Sequence, residues 1–231
     1  MRAGRSVRAA VAANFAEPAA ELSRIFSARG GPPVEIATGA SGPFAAQITR
    51  GAPFDVFLSA DRARAQAVAR AAGTGGSLFV YAVGRLVLWS RDSRLVDPLG
   101  AVLRRPDGFR KLAIADPAAA PYGEAALQTL ARMGLLPGLR AKLVLGGSIG
   151  QAFGFVVTGA ADLGFVALSQ LRARADGSRW LVPEGLHAPI VQAAVLTAAG
   201  ARDPGARAFL AFLRSPPARE VIRPFGYGAP G

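Results

Sequence analysis

The sequence predicts an α/β protein of two lobes, each built on a mixed, mainly parallel sheet flanked by helices. Two observations carry this expectation. Short apolar runs alternate with helix-period stretches along the whole chain. Two further apolar runs, 78–89 and 188–197, are long enough to cross from one sheet to another. They divide the chain into a discontinuous lobe, 1–82 plus 196–231, and an inserted lobe, 83–195. A ligand is expected in the cleft between them, at the carboxyl ends of strands.

The start, MRAGRSVRAAVAANF, is basic and then apolar like a secretory leader, but Arg8 and Asn14 interrupt the apolar part. Residues 7–12 therefore read as the first buried strand. A helix follows over 17–29, with Leu22, Ile25 and Phe26 on one face, and a Gly-Pro break at 30–33 leads into a strand at 34–37. The turn from Thr38 to Pro43 opens a helix that runs to about Arg50. A strand at 54–58 precedes a helix at 61–71, capped by Ser59 or Asp61. The run 78–89, rich in Val, Leu and aromatics, reads as one extended strand. Strand-helix pairs follow at 111–115 with 121–133 and at 142–145 with 149–157. Strands at 162–166 and 188–197 come next, and helices at 204–213 and 216–223 close the chain.

Composition narrows the function. The chain has 27 basic and 15 acidic residues, a formal charge of +12. Only Lys111 and Lys142 are lysines, and the arginines are dispersed among Ala, Gly and Pro, which fits compositional bias better than a nucleic-acid surface. The absence of cysteine excludes disulfides, thiol nucleophiles and Cys-rich metal sites. No segment approaches the ~20 apolar residues of a membrane span. No Ser-His-Asp order or carboxylate pair suggests catalysis, so no catalytic residue is assigned. Asp55, Asp61 and Asp162 read as helix caps or strand-end closures. Glu124 is expected to face solvent, His187 to lie in a surface loop, and Trp89 and Trp180 to pack.

Four strand-to-helix turns carry small or hydroxyl residues where a helix begins: Ala13-Asn14-Phe15, Ala40-Ser41-Gly42-Pro43, Ala120-Pro121-Tyr122-Gly123 and Gly147-Ser148-Ile149-Gly150-Gln151. A helix start leaves backbone N–H groups over and carries the positive end of the helix dipole. Small residues let an anion approach that backbone, and Ser, Asn or Tyr add neutral donors. No turn of the four contains a charged residue. Together they suit a fully deprotonated tetrahedral oxyanion. Taken singly, Asn14 and Ser41 also read as plain N-caps, Tyr122 as a packing aromatic, and the Gly-Ser-Ile-Gly segment as a tight turn without ligand.

These segments resemble the periplasmic molybdate-binding proteins, the ABC-transporter solute receptors of the type II periplasmic-binding-protein fold. The resemblance also rests on Gly51-Ala52-Pro53-Phe54-Asp55-Val56-Phe57-Leu58-Ser59-Ala60-Asp61, on Tyr81 through Ser90, on Gly159 through Ala167 and on Pro189-Ile190-Val191-Gln192, and it runs from about Val7 to Tyr227. It implies a non-catalytic extracytoplasmic receptor, a monomer that captures molybdate or tungstate and delivers it to the membrane permease of an ABC transporter. Neither cofactor nor side-chain metal ligand is implied, the metal being inside the oxyanion. By the same resemblance Ala13, Asn14 and Ser41 donate from one lobe, and Tyr122 and Ile149 from the other, Ile149 through its backbone. Many family members carry Ser or Thr in place of Ala13, and some carry a Tyr near Ala167, so the donor count here differs. Competing readings are an oxyanion-sensing or nucleic-acid-associated regulatory domain on the same fold, for which no helix-turn-helix segment is present, and a receptor for sulfate or phosphate.

Overall fold

A computed structural model describes residues 5–229; Met1–Gly4, Pro230 and Gly231 lie outside the described residues. The chain forms two compact units, one from the segment up to Val83 together with Val191 onward, the other Gly84–Ile190. Each is built on a five-stranded sheet.

The first unit opens with β1 (Val7–Ala12), a short 3-10 turn at Ala13–Phe15 and α1 (Ala16–Ala28). It continues through β2 (Val34–Gly39), α2 (Ser41–Thr49), β3 (Val56–Ser59), α3 (Arg62–Ala72) and β4 (Phe79–Gly84). The second holds β5 (Leu86–Ser90), β6 (Leu112–Ala115), α4 (Pro121–Arg132), the short α5 (Leu136–Leu139), β7 (Leu143–Gly146), α6 (Ile149–Thr158), β8 (Leu163–Ala167) and β9 (Ser178–Leu181). The chain then returns to the first unit through β10 (Ile190–Leu196), α7 (Pro204–Leu213) and α8 (Pro216–Ile222).

The first sheet has the order β2-β1-β3-β10-β4. Its β1 is parallel to β2 and β3, and β10 runs antiparallel to β3. One face packs Phe15, Leu22, Phe26, Phe209 and Leu213, the other Phe44, Ile48, Phe57 and Val68. Both faces being covered explains why β3, and β1 apart from Arg8, read as apolar runs without alternation. The second sheet, β7-β6-β8-β5-β9, pairs β6 in parallel with β7 and β8, but β5 antiparallel with β8 and β9. Both sheets are mixed, and in the second the parallel and antiparallel pairings are balanced.

The expected single strand at 78–89 is two strands in two sheets, broken at Arg85. The Arg85 carbonyl accepts from the Leu168 N–H (3.0 Å) and its guanidinium pairs with Glu184 (3.1 Å). Apolar content alone hid the break, because β5 is buried throughout and β4 is largely so. Strand β9 was not anticipated. It alternates buried Ser178 and Trp180 with exposed Arg179 and Leu181, too short and too polar to stand out.

His187, expected in a surface loop, is buried, with Nδ1 2.8 Å from the Ala188 carbonyl oxygen. Flanking Pro and Gly predict a turn but not its depth. The carboxylates hold strand ends and a helix cap. Asp61 caps α3 by accepting from the Arg64 N–H (2.6 Å). Buried Asp55 accepts from the Arg8 N–H (2.8 Å) and pairs with Arg5 (2.7 Å). Glu124 is exposed, and Trp89 and Trp180 are buried.

Asp162 accepts from the N–H groups of Arg110 (2.8 Å) and Lys111 (2.9 Å) and pairs with the Arg110 guanidinium (3.2 Å). Burial opposes its ionisation, but the two amides and the guanidinium outweigh that and hold the carboxyl below its ordinary value of 3.8. A depressed folded-state pKa stabilises the fold above the unfolded-state value and loses that contribution as pH falls through the folded-state value. Asp162→Asn is therefore expected to lower the melting temperature at neutral pH, with the gap to wild type narrowing below about pH 4. Thermal melts across that range check it. A gap that stays constant with pH would contradict the assignment.

Candidate functional site

In the first unit the chain leaves β1 at Ala12 and enters α1 through the turn at Ala13–Phe15, and neither helical start has a side-chain cap. Asn14 is not a cap. It is 2% exposed, and its Nδ2 donates to Gln192 Oε1 (2.8 Å) and to the Tyr227 hydroxyl oxygen (2.9 Å). Tyr227 in turn donates to the Asn14 carbonyl (2.8 Å). Gln192 Nε2 donates to the Ala60 carbonyl (3.4 Å). A carbonyl can only accept, so Ala60 fixes the orientation of the Gln192 amide, and Gln192 then fixes that of Asn14. Both side-chain hydrogens of Asn14 are thus engaged inside the unit. Whatever the first turn offers an anion comes from the backbone of half-buried Ala13 and of Asn14, not from the Asn14 amide.

Ser41 is not a cap either. The N-cap position of α2 is Ala40, and Ser41 is the first helical residue, 1% exposed. Its Oγ accepts from the Ala60 N–H (2.9 Å), so the hydroxyl proton is the part left to donate. Pro43 has no N–H, and the Phe44 N–H goes to the Ala40 carbonyl (3.3 Å), which leaves Ser41 and Gly42 as the amides of the helix start.

The second unit repeats the pattern twice. Helix α4 begins with Pro121, which lacks an N–H, while Gly123 and Glu124 both donate to the Ala120 carbonyl (2.9 and 3.3 Å). Tyr122, the second residue of the helix, is buried. Gly123 lets this helix start sit against the end of β6, since a side chain there would overlap the Ala115 carbonyl. At α6, Ser148 caps by accepting from the Gln151 N–H (3.2 Å), and the Gln151 side chain accepts from the Gly147 N–H (2.6 Å). Ile149, 3% exposed, is the first helical residue, and its carbonyl accepts from Gln170 Nε2 (3.2 Å). Gln170 Oε1 accepts from the Ala167 N–H (2.9 Å), tying this turn to the end of β8.

The bonds that hold these turns are made by backbone, amide and hydroxyl groups. Glu124, the nearest ionised group in sequence, is exposed and accepts from Gln128 (3.2 Å). Burial raises the Tyr81 phenol well above its ordinary value, with a smaller contribution from Tyr227, so the ring that packs on Phe15 at 4.7 Å stays neutral. Among the described residues no cluster of His, Asp and Glu suits a metal ion. Surface hollows lined by Thr49, Phe54 and Arg202, and by Arg91, Arg110 and Asp162, contain none of the candidate donors.

Sequence reasoning left Gln192, Gln170 and Tyr227 without roles. Gln192 had a signal, being the sole amide in the apolar run 188–197. Gln170 had none, because Leu168-Ser169-Gln170-Leu171 looks like any surface turn.

Residues 7–228 match the family described as "Bacterial extracellular solute-binding protein". The chain is 50% identical over 226 residues to the molybdate-binding protein ModA of Rhodobacter capsulatus, covering 97% of this chain and 89% of that protein. It is 47% identical to ModA of Azotobacter vinelandii, covering 96% and 89%. The solved periplasmic molybdate-binding protein of Azotobacter vinelandii superposes with a TM-score of 0.92 at 41% identity, covering 97% of this chain and all of that one.

The packing of α4 on β6 has a direct test. Gly123→Ala is expected to destabilise the protein by about 1–3 kcal/mol, because the methyl group meets backbone that cannot rotate away. Gly138→Ala, where nothing lies within 4 Å, is expected to be neutral or to stabilise by under about 1 kcal/mol. Denaturant melts of the two variants side by side distinguish strain from a generic glycine effect.

Proposed function

The chain belongs to the bacterial extracellular solute-binding proteins, and we propose that it is the molybdate receptor of an ABC uptake transporter, acting outside the cytoplasm. It is a binding protein and not an enzyme, and molybdate is its cargo, not a cofactor. Ala13 and Asn14 through the backbone, Ser41 through hydroxyl and backbone, and Tyr122 and Ile149 through the backbone are the proposed donors. The protein works as a monomer and hands its ligand to the transporter's membrane permease.

One observation carries the donor assignment. The four turn segments themselves hold no charged side chain, Glu124 in the first turn of α4 being exposed, and three of the four also have no side-chain cap. A natural cap would compete with an anion for the same N–H groups. The Ser41 hydroxyl, its oxygen already engaged by Ala60, is oriented as a donor.

Neutral donors also account for selection. Molybdate and tungstate have longer bonds to oxygen than sulfate does, so a rigid shell separates them from sulfate by size. Monohydrogen phosphate brings an O–H that a shell of donors leaves unpaired, at about 1–3 kcal/mol. Tungstate passes both filters.

Calorimetric titration with molybdate, tungstate, sulfate and phosphate tests the reading. Stoichiometric binding of the first two is expected, with about 4 kcal/mol of added stability at about a thousand times the dissociation constant. A melting temperature unmoved by either anion would end the proposal. Ser41→Ala is expected to weaken molybdate by about 1–3 kcal/mol. Ile149→Pro removes the backbone N–H, together with part of a buried side chain whose loss the melting temperature reports. Proline is tolerated at a first helical position, and Ser148 already has the extended conformation that proline requires before it (φ −152°, ψ 168°). The helix should form while affinity falls about ten-fold or more. Unchanged affinity in both variants would remove these donors from the site.

A further inference from the structure

One primary amide interrupts the buried apolar strand β10, and it links the two donor turns of the first unit, the first directly and the second through Ala60. Gln192 is fully buried, in a strand whose neighbouring positions are Val191, Ala193 and Ala194. An apolar residue would suit that environment at less desolvation, so the amide's value lies in its bonds. Those bonds run to two different turns: Oε1 receives the Asn14 side chain (2.8 Å) and Nε2 reaches the Ala60 carbonyl (3.4 Å). The N–H of the same Ala60 holds the Ser41 hydroxyl oxygen (2.9 Å). From the first turn to the second, the path is therefore one glutamine side chain and one alanine. Tyr227 braces the far side of Asn14 with a pair of bonds.

We propose that Gln192 is a positioning residue that determines oxyanion specificity by setting the separation between the first-turn amides and the Ser41 hydroxyl. The inference rests on the reading of these turns as anion donors. A shell held at fixed width accommodates the larger tetrahedral anion and cannot contract onto a smaller one, and errors of ~0.5 Å are enough to matter at such a site. Gln192 does not touch the anion. It acts through Asn14 and through Ala60.

The test compares the full chain with Gln192→Leu and Gln192→Glu, measuring molybdate and sulfate dissociation constants and the melting temperature. In Gln192→Leu, molybdate affinity is expected to fall about ten-fold or more, and the preference for molybdate over sulfate to narrow by a similar factor. In Gln192→Glu, burial raises the carboxyl pKa. Its protonated form reproduces glutamine, accepting from Asn14 and donating to Ala60, whereas its ionised form cannot donate and repels the dianion. The variant should thus approach wild-type affinity and preference on the acid side of that pKa and lose both as pH rises, while wild type stays flat over the same range. This profile decides the matter even if the leucine variant folds poorly. Variants that lose thermal stability but keep the wild-type preference, and a glutamate variant with no pH-dependent preference, would overturn the positioning role. Wild type that binds neither anion would instead overturn the functional reading, and this inference with it.

Discussion

The peptide group of Ala60 is used from both sides, and the bonding between the turns at Asn14 and Ser41 depends on it. Its N–H takes the oxygen of Ser41 and its carbonyl takes the amide of Gln192. A backbone carbonyl has one possible role, so it imposes a direction on every bond that follows. Gln192 must present its oxygen to Asn14, Asn14 must present its NH2 group, and Tyr227 must accept from Asn14 before donating to its carbonyl. Each polar group is oriented by its neighbour, with no charge required. For a ligand carrying two negative charges this matters, because fixed dipoles already aligned need not reorganise when it arrives.

The second unit reaches the same end by a separate route. Gln170 spans from the Ala167 N–H at the end of β8 to the Ile149 carbonyl at the start of α6, while Ser148 accepts from the Gln151 N–H and the Gln151 side chain accepts from the Gly147 N–H. A glutamine amide, long enough to bridge two backbone segments and able to donate and accept at once, is the common part. Proline and glycine complete the device at α4. Pro121 removes an amide that would otherwise need a partner, and Gly123 brings the helix start close to β6. Donor turns on loops are mobile by default; here strand ends hold them.

How much of this was legible follows from what kind of signal each feature leaves. Helices α1, α3, α4 and α7 announce themselves through period and punctuation, and the turns at Asn14, Ser41, Tyr122 and Ile149 through small residues at strand-to-helix boundaries. The crossover near Arg85 was seen as a length but not as a break, because burial persists across it. Strand β9 and the depth of His187 are set by tertiary packing, which leaves no local pattern. Asn14 is the instructive case. The sequence marks it as a polar group at a strand-to-helix boundary, yet only the positions of Gln192 and Tyr227, about 180 and 213 residues away in the chain, show that its side chain is a strut bonded inside the unit.

The chain carries a formal charge of +12, whereas the four turns contain no charged residue. Several arginines are held by carboxylates or aromatic rings. Arg5 pairs with Asp55 and Asp203, Arg214 lies over the Phe79 ring at 4.4 Å, and Arg174 lies over Trp89 at 5.2 Å. Their field still extends into solution and raises the local concentration of any anion, with a strength that salt screens within about 8–10 Å. Such a field cannot tell molybdate from sulfate, since both carry the same charge. A guanidinium placed in the shell would bind both more tightly without separating them, because Coulomb attraction changes little over the small difference in their radii. Directional donors at fixed spacing respond steeply to that difference. Attraction is therefore best left to the surface as a whole, and discrimination to uncharged groups whose positions are set by other uncharged groups.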